Sequence, residues 1–371
     1  MFYSLRCLIA WTLLNGNATL ARSVHLEVLM KAVVINEHGG PEVLRYTDFP
    51  EPMIGADEVL VRVQACALNH LDLWVRRGLP GRTVPFPHIP GSDISGEVVR
   101  TGERVKNVSV GERVLLAPGV SCGHCPQCIA GRDNFCKEYV LFGSTIHGGY
   151  AEFVKAPAVN VMAIPGNLSF EEAAAVPLVF LTAWHMLFAR ADLQAAEDVL
   201  VIAAGSGVGS AAVQIAKATG ARVIATAGSE PKLAKAKALG ADDVLLHAGE
   251  FAREVKKRTG GRGVDVVFEH VGAATWDQSV YSLAPGGRLV TCGATSGFES
   301  KINVGYLFAR QLSILGSFMG RKSELYAALE LVRRGLLKPI IDTVFPLERA
   351  AEAHRRLENR EQFGKIVLQI A

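Results

Sequence analysis

Four cysteines crowd into residues 122–136: Cys122, Cys125, Cys128 and Cys136, at spacings of three, three and eight residues. Thiolates are the preferred ligands of a structural zinc, and four of them complete its tetrahedral shell. The intervening loop is rich in Gly, Arg, Asp and Asn, a poor setting for cysteines packed as small hydrophobes. The spacing therefore predicts one zinc per chain. With no coordination position open to water or substrate, that metal would hold the loop and perform no chemistry. His124, between ligands, is read as exposed and non-coordinating. Cys7, Cys66 and Cys292 stand apart, so the cysteines point to metal ligation in a reducing compartment rather than a disulfide framework. A cytoplasmic protein is expected.

A second segment speaks of phosphate. Val199–Ala203 is an apolar strand, followed by Ala204, Gly205, Ser206, Gly207, Val208 and Gly209 and then a helical pattern. Glycines there let the backbone approach a pyrophosphate whose charge sits at the positive helix N-terminus. A glycine turn alone is weak evidence; its place between strand and helix is the context that gives it meaning. Ala204 and Ser206 stand where the standard fingerprint has glycine. An NAD-selective site carries Asp or Glu about 20 residues on, at the end of the second strand, to hold the ribose 2′-hydroxyl. Here that position is Ala227, with Ser229, Lys232 and, after the next strand, His247 available to a 2′-phosphate. The expected cofactor is NADPH, with NADH possible and Glu230 the residue that counts against the phosphate.

The elements that must position these residues fall into two series. From Met30 to about Pro157, short strands such as Val59–Val63, Gly96–Val99 and Glu112–Leu116 alternate with turns. Ser169-Phe170-Glu171-Glu172 then reads as a capping box. From Asp198 strands alternate with helices: Gly209–Thr219, Arg222–Thr226, Pro231–Leu239, Val264–Phe268 and Arg288–Cys292. Strands apolar throughout, separated by helices, indicate a parallel sheet covered on both faces. Helix Leu347–Glu358 and strand Lys365–Ile370 read as a return to the first module. The chain of 371 residues is long enough for two domains, and its net charge of +3, with 49% hydrophobic residues, calls for neither nucleic acid nor an anionic membrane as partner. Residues 1–29 read as an extension, a loose tail or upstream mis-start with a weak resemblance to a signal peptide, because the first clean strand opens at Met30.

In this order, the β module, the four-cysteine loop and the glycine-turn half resemble the medium-chain dehydrogenase/reductase superfamily from Met30 to Ala371. The cysteine spacing matches the structural zinc lobe of its alcohol dehydrogenases. The resemblance implies an α/β fold. A GroES-like catalytic domain would be built from residues 30–178 and 320–371, with the zinc lobe at about 119–140. A doubly wound Rossmann domain would occupy 179–319. It also implies a homodimer or homotetramer, a dimer joining through sheet edges near Leu312–Phe318, and backbone contacts to the nicotinamide from Cys292, Gly293 and Ser317.

The catalytic zinc of the alcohol dehydrogenases is where the chain departs from the resemblance. Their ligand positions correspond to Asn69, Ser92 and Leu178, none of which suits zinc. Asn69-His70-Leu71-Asp72 looks instead like the quinone and enoyl reductase branch. Without a Lewis acid an alcoholate is poorly stabilised. Hydride transfer to a quinone or an activated C=C asks only for hydrogen-bond donors at a conjugated oxygen. Asn69, His70 and Ser92 are the candidates near that oxygen, with Asp72 orienting neighbours. Asn69 as a turn residue, His70 against the pyrophosphate and Ser92 as a packed small residue are the bland alternatives. Trp74, Phe180 and Trp184 line an aromatic pocket or simply fill core. The reading is an NADPH-dependent reductase of a small-molecule substrate. The alternatives are an alcohol dehydrogenase with a displaced catalytic metal and a non-catalytic NADPH-binding protein.

Overall fold

The structure, a computed structural model, describes residues 28–79 and 83–370. The expectation for residues 1–29 falls, up to residue 27, outside the described residues. Leu29 already belongs to the first strand, Leu29–Val34, which pairs antiparallel with Arg45–Pro50.

Strands of the glycine-turn half form one six-stranded parallel sheet. Numbered along the chain they are Asp198–Val201, Arg222–Ala227, Asp243–Leu246, Val264–Glu269, Leu283–Thr291 and Ser313–Gly316, and their spatial order is 3-2-1-4-5-6. The central strands are buried along nearly their whole length, with Val199, Leu200, Val201, Val266, Val267 and Phe268 at 0% exposure. That pattern is the continuous apolar run of a sheet covered on both faces. In this order the reversal lies beside the first strand, and an open α/β sheet binds its ligand at the carboxyl ends there.

The second sheet has seven strands and mixes the two ends of the chain. Glu58–Ala67 pairs with Asp93–Thr101, with Phe153–Pro157 and with Lys365–Gln369. Ile341–Pro346 then pairs parallel with Lys365–Gln369. Lys365 is thereby carried from the end of the chain to the centre of the N-terminal module. Ser169 caps helix Phe170–Ala174 by accepting from the Glu172 amide at 3.1 Å, while its own amide donates to the Glu172 carboxylate at 2.9 Å. Helix Pro177–Trp184 follows and runs into a wider helical turn, His185–Arg190. Phe180 and Trp184 of this segment pack into the large core cluster, so Trp74 is the one of the three aromatic candidates that lines the cleft. No helix among the described residues is long and apolar enough to cross a membrane.

Candidate active site and cysteine lobe

A cleft of about 700 Å³ runs along the carboxyl ends of the first two strands of the six-stranded sheet and under strand Lys365–Gln369. One end is polar. Ser206 is the N-cap of helix Gly207–Ala218, its hydroxyl accepting from the Gly209 amide at 2.9 Å and lying 3.2 Å from His270 Nε2. Serine at this fingerprint position is thus a cap. The turn is fastened to the next strand, since the Ala203 and Ala204 amides donate to the Thr226 hydroxyl and carbonyl. Close approach explains the glycines on the helix. A Cβ on Gly209 would sit 2.5 Å from the Ala203 carbonyl, and one on Gly207 would sit 2.7 Å from Lys365 Cδ.

Gly205, Ser206, Gly207, Val208, Ser229, Lys232, His247, Cys292 and Gly293 all face this cleft. Ala204 and Gly209 lie just behind it, buried in the strand–helix junction. Ser317 is also set back. Its amide donates to the Thr291 carbonyl, and the neighbouring Phe318 and Met319 line the wall. Ala227 ends its strand fully buried, followed by Gly228, where a Cβ would come 3.3 Å from His247 Nε2. His247 Nδ1 has no hydrogen-bond partner among the described residues, and burial lowers its pKa. Lys232 donates to the Arg360 carbonyl, and Arg360 in turn reaches the Thr295 carbonyl at 3.3 Å, so residues 359–364 cross over this end of the cleft.

The other end is apolar, walled by Leu71, Trp74, Leu141, Leu178, Phe318 and Met319. At its floor, helix His70–Arg77 starts at Asn69. The Asn69 amide group is fully engaged: Nδ2 donates to Asp93 Oδ2 at 2.9 Å, and Oδ1 accepts from Lys365 Nζ at 2.7 Å. Lys365 also donates to Asp93 Oδ2 at 2.8 Å, and Asp93 Oδ1 accepts from the Leu178 amide at 2.8 Å. Lys365 is 4% exposed and Asp93 0%. A buried ammonium–carboxylate pair persists out of water through its pairing and further hydrogen bonds, here the Asn69 Oδ1 acceptor of Lys365 and the Leu178 amide donor to Asp93.

Two catalytic candidates need correction. Ser92 is fully buried and its hydroxyl donates to the Phe142 carbonyl at 2.6 Å, which turns it away from the cleft and makes it a packing residue. Asp72 is also fully buried, outside the lining, with its carboxylate accepting from the Asn69 and Gly91 amides. Burial pushes its pKa up to about 7. His70 does line the cleft; burial, reinforced by His270 and Arg360, holds its pKa down at about 4, so its ring is neutral at pH 7. Lys365, His270 and Arg360 are cleft residues that sequence reasoning missed, as is Asp93, buried just behind the lining and bonded to Lys365. Lys365 lies nearly 300 positions from Asn69, and no local spacing links them.

Away from the cleft, the four cysteine sulfurs converge. Cys122 and Cys128 are 3.9 Å apart, Cys125 and Cys128 3.6 Å, and Cys122 and Cys136 3.6 Å. A tetrahedral zinc with sulfurs at 2.3 Å sets them roughly 3.8 Å apart, so this donor set fits the ion. Amide hydrogen bonds from the His124 and Cys125 backbone bring the Cys122 thiol down to about 6, favouring the thiolate that ligation requires. His124 is exposed, its Nδ1 2.9 Å from the Cys122 carbonyl; with Glu138 it makes an overlapping, mostly exposed group around Cys122. These two are the only groups of metal-ligating side chains converging among the described residues.

Comparison with known proteins places this architecture. Residues 55–166 match the alcohol dehydrogenase GroES-like domain, and residues 207–334 match the zinc-binding dehydrogenase domain. A quinone oxidoreductase of Lama guanicoe is 33% identical over 352 residues, 92% of this chain and 97% of the relative. The chain belongs to the medium-chain dehydrogenase/reductase superfamily. It is an oxidoreductase of that superfamily. Other members it resembles span several chemistries. An acryloyl-coenzyme A reductase of Metallosphaera sedula is 32% identical, covering 91% of this chain and 99% of the relative. A crystal structure of an NAD-dependent alcohol dehydrogenase shares 51% identity at a TM-score of 0.90, covering 92% of this chain and all of that one.

Proposed function

We propose that this chain is an NADPH-dependent reductase of quinones or activated C=C bonds, enones and enoyl compounds, with one zinc serving only the cysteine lobe. The observation that carries the reading is the Asn69–Asp93–Lys365 cluster. Where an alcohol dehydrogenase needs anionic or imidazole ligands, this cleft has an amide, a turned-away hydroxyl and the apolar Leu178, with an ammonium bonded to the adjacent carboxylate. A divalent ion has no ligand set to replace its water. An ammonium beside it adds repulsion.

The dinucleotide cradle supports a cofactor bound along Gly205–Gly209, since side chains at Gly205 and Gly207 would meet Lys232, Phe363 and Lys365. Ser229, Lys232 and His247 around Ala227 favour a 2′-phosphate, and Glu230 lies outside the cleft lining. A reduced nicotinamide bound there supplies the hydride. The chain's own residues orient the acceptor between apolar walls, exclude water with Trp74, Leu178 and Met319, and present polar hydrogens at the floor. Ser313–Gly316 is one of the two edges of the six-stranded sheet, with Val304, Phe308 and Phe318 exposed around it, which favours a homodimer through that edge.

The test combines NADPH and NADH oxidation against quinones, enones, enoyl thioesters and aldehydes with zinc analysis of the same sample. Turnover of conjugated acceptors with one zinc per chain is expected. The 51%-identical alcohol dehydrogenase favours a second reading, alcohol oxidation through a displaced catalytic metal. Two zinc ions per chain with aldehyde turnover alone would establish that reading in place of ours.

A further inference from the structure

We infer that the His270 imidazole accepts a hydrogen bond from a hydroxyl of the ribose on the nicotinamide side of the cofactor. This deepens the cofactor part of the reading above and rests on it. It names a contact that fixes the reactive half of the dinucleotide, whichever acceptor is reduced.

His270 follows the fourth strand of the six-stranded sheet, Val264–Glu269, and lines the cleft. Its ring hydrogen bonds among the described residues both pass through Nε2, 2.8 Å from the Ile202 carbonyl and 3.2 Å from Ser206 Oγ. A carbonyl oxygen only accepts, so Nε2 carries the proton. Burial lowers the pKa of the ring, outweighing the Glu269 carboxylate and the backbone carbonyls around it, so the ring is neutral at pH 7. Nδ1 then holds a lone pair and no hydrogen, and it can only accept. Unlike the Nδ1 of His247, that nitrogen is not sealed away from the cleft. Ser206 Oγ already accepts from the Gly209 amide, and beside a protonated Nε2 its own hydroxyl hydrogen is left for a ligand.

Position along the sheet selects the partner of Nδ1. A dinucleotide places its pyrophosphate at the turn that opens helix Gly207–Ala218, where the helix N-terminus attracts its charge. Ser206, inside that turn, touches the His270 ring, so the ring stands one contact away from the phosphates. The adenosine half lies over the second strand, toward Ala227 and Ser229. The nicotinamide half lies on the other side of the turn, over the fourth and fifth strands, whose ends carry His270 and Cys292. A bare lone pair repels phosphate oxygens and attracts hydroxyl hydrogens. Next to the phosphates on that side, the hydroxyls of a dinucleotide are those of the nicotinamide ribose. Holding that sugar sets the reach of the attached ring toward the apolar end of the cleft, walled by Trp74, Leu178 and Met319.

Two substitutions separate the two ring nitrogens. His270→Gln keeps a donor near the Nε2 position for the Ile202 carbonyl and removes the Nδ1 acceptor. His270→Asn does the reverse, setting an amide oxygen near the Nδ1 position and leaving the Ile202 carbonyl without its donor. Each is examined for melting midpoint, for binding of NADPH and NADH by fluorescence, and for binding of ADP and ADP-ribose by displacement of the reduced nucleotide. ADP-ribose carries the second sugar, whereas ADP ends at the pyrophosphate. We expect His270→Gln to melt like wild type yet bind NADPH, NADH and ADP-ribose about fivefold or more weakly, the loss of one hydrogen bond, with ADP within about twofold. His270→Asn should melt lower and bind ADP-ribose within about threefold of wild type. Equal losses for ADP and ADP-ribose in His270→Gln would overturn the proposal by assigning the ring to the phosphates. Unchanged ADP-ribose binding in His270→Gln would also overturn it, leaving His270 as a tie between strand ends. A wild type that binds neither NADPH nor NADH removes the cofactor reading itself, and this inference with it.

Discussion

The Asn69 backbone amide donates to Asp72 Oδ2 at 2.7 Å, so the first turn of helix His70–Arg77 is capped by a carboxyl group buried beneath the cleft floor. The Asn69 side chain meanwhile bonds Asp93 and Lys365. Asp72 therefore positions the floor without touching it.

That carboxyl gives a pH signature. Its pKa, pushed up to about 7 by burial, lies above the unfolded value of 3.8. The folded state thus binds the proton more tightly. Its stabilisation is fully present below about pH 4 and is lost as pH rises through about 7. The shift of about three units corresponds to at most about 4 kcal/mol. Asp72→Asn removes the titration while keeping an acceptor for one amide. Melting midpoints of the two proteins, taken from pH 4 to 8, should show the wild-type advantage shrinking up to about pH 7 and then levelling. Parallel curves would mean that Asp72 titrates normally.

The zinc prediction uses the lobe's isolation from the cleft. Cys125→Ser removes one of four ligands from a set whose sulfurs already stand at zinc-like separations. Zinc content should fall from one per chain to below about a fifth, and the melting midpoint should drop by several degrees, since ligand binding to the native state contributes directly to stability. Atomic absorption and calorimetry on the same preparation check both. Full zinc retention would show that His124 and Glu138 can replace a thiolate.

The cleft shows what a linear sequence can reveal. The cysteine lobe was legible because all four ligands lie on one short loop, and local spacing dictates local geometry. The glycine turn was legible because strand, turn and helix are consecutive. The strand–helix series from Asp198 to Thr291 was legible because its buried central strands leave short apolar runs spaced regularly between helical patterns. The floor was not. Lys365 reaches Asn69 only because strand Lys365–Gln369 pairs with Glu58–Ala67, a long-range register invisible to any window of sequence. Ser92 was misplaced for the opposite reason. It lies in the bend just before strand Asp93–Thr101, and its hydroxyl bonds the Phe142 carbonyl while the neighbouring Asp93 carboxylate bonds Lys365.

Nucleotide choice rests on the surroundings of Ala227. Ala227→Asp would place a carboxylate where a 2′-phosphate is expected, and two like charges at close range are strongly unfavourable. NADPH affinity should fall at least 10-fold, while NADH affinity should hold or improve through the ribose hydroxyl. Lys232→Ala should weaken NADPH by about 10-fold, roughly 1.4 kcal/mol, and leave NADH within threefold. Fluorescence titration with each nucleotide decides the matter. Equal losses for both nucleotides would place Lys232 at the loop of residues 359–364, whose Arg360 carbonyl it already holds, and remove it from phosphate recognition.

Gly207 offers the sharpest structural test, because two effects on the same substitution oppose each other. Alanine at the first position of helix Gly207–Ala218 gains about 0.8–1 kcal/mol of helix propensity over glycine. Its Cβ, however, would stand 2.7 Å from Lys365 Cδ and 3.1 Å from Val179 Cγ1. Lys365 cannot swing aside freely, being tied at its backbone to Ile340 and at its head to Asn69 and Asp93. Overpacking of this kind costs about 1–3 kcal/mol, so the contact should outweigh the propensity. Gly207→Ala should therefore lower the melting midpoint slightly and cut kcat/KM by more than 10-fold as Lys365 shifts. Gly205→Ala is the control: its Cβ meets Lys232 Cδ at 3.2 Å and Phe363 Cδ2 at 3.3 Å, groups at the cofactor end of the cleft. It should raise the KM for NADPH and leave kcat nearly unchanged. A melting midpoint that held or rose in Gly207→Ala would instead mean that helix propensity outweighs the contact with Lys365 Cδ.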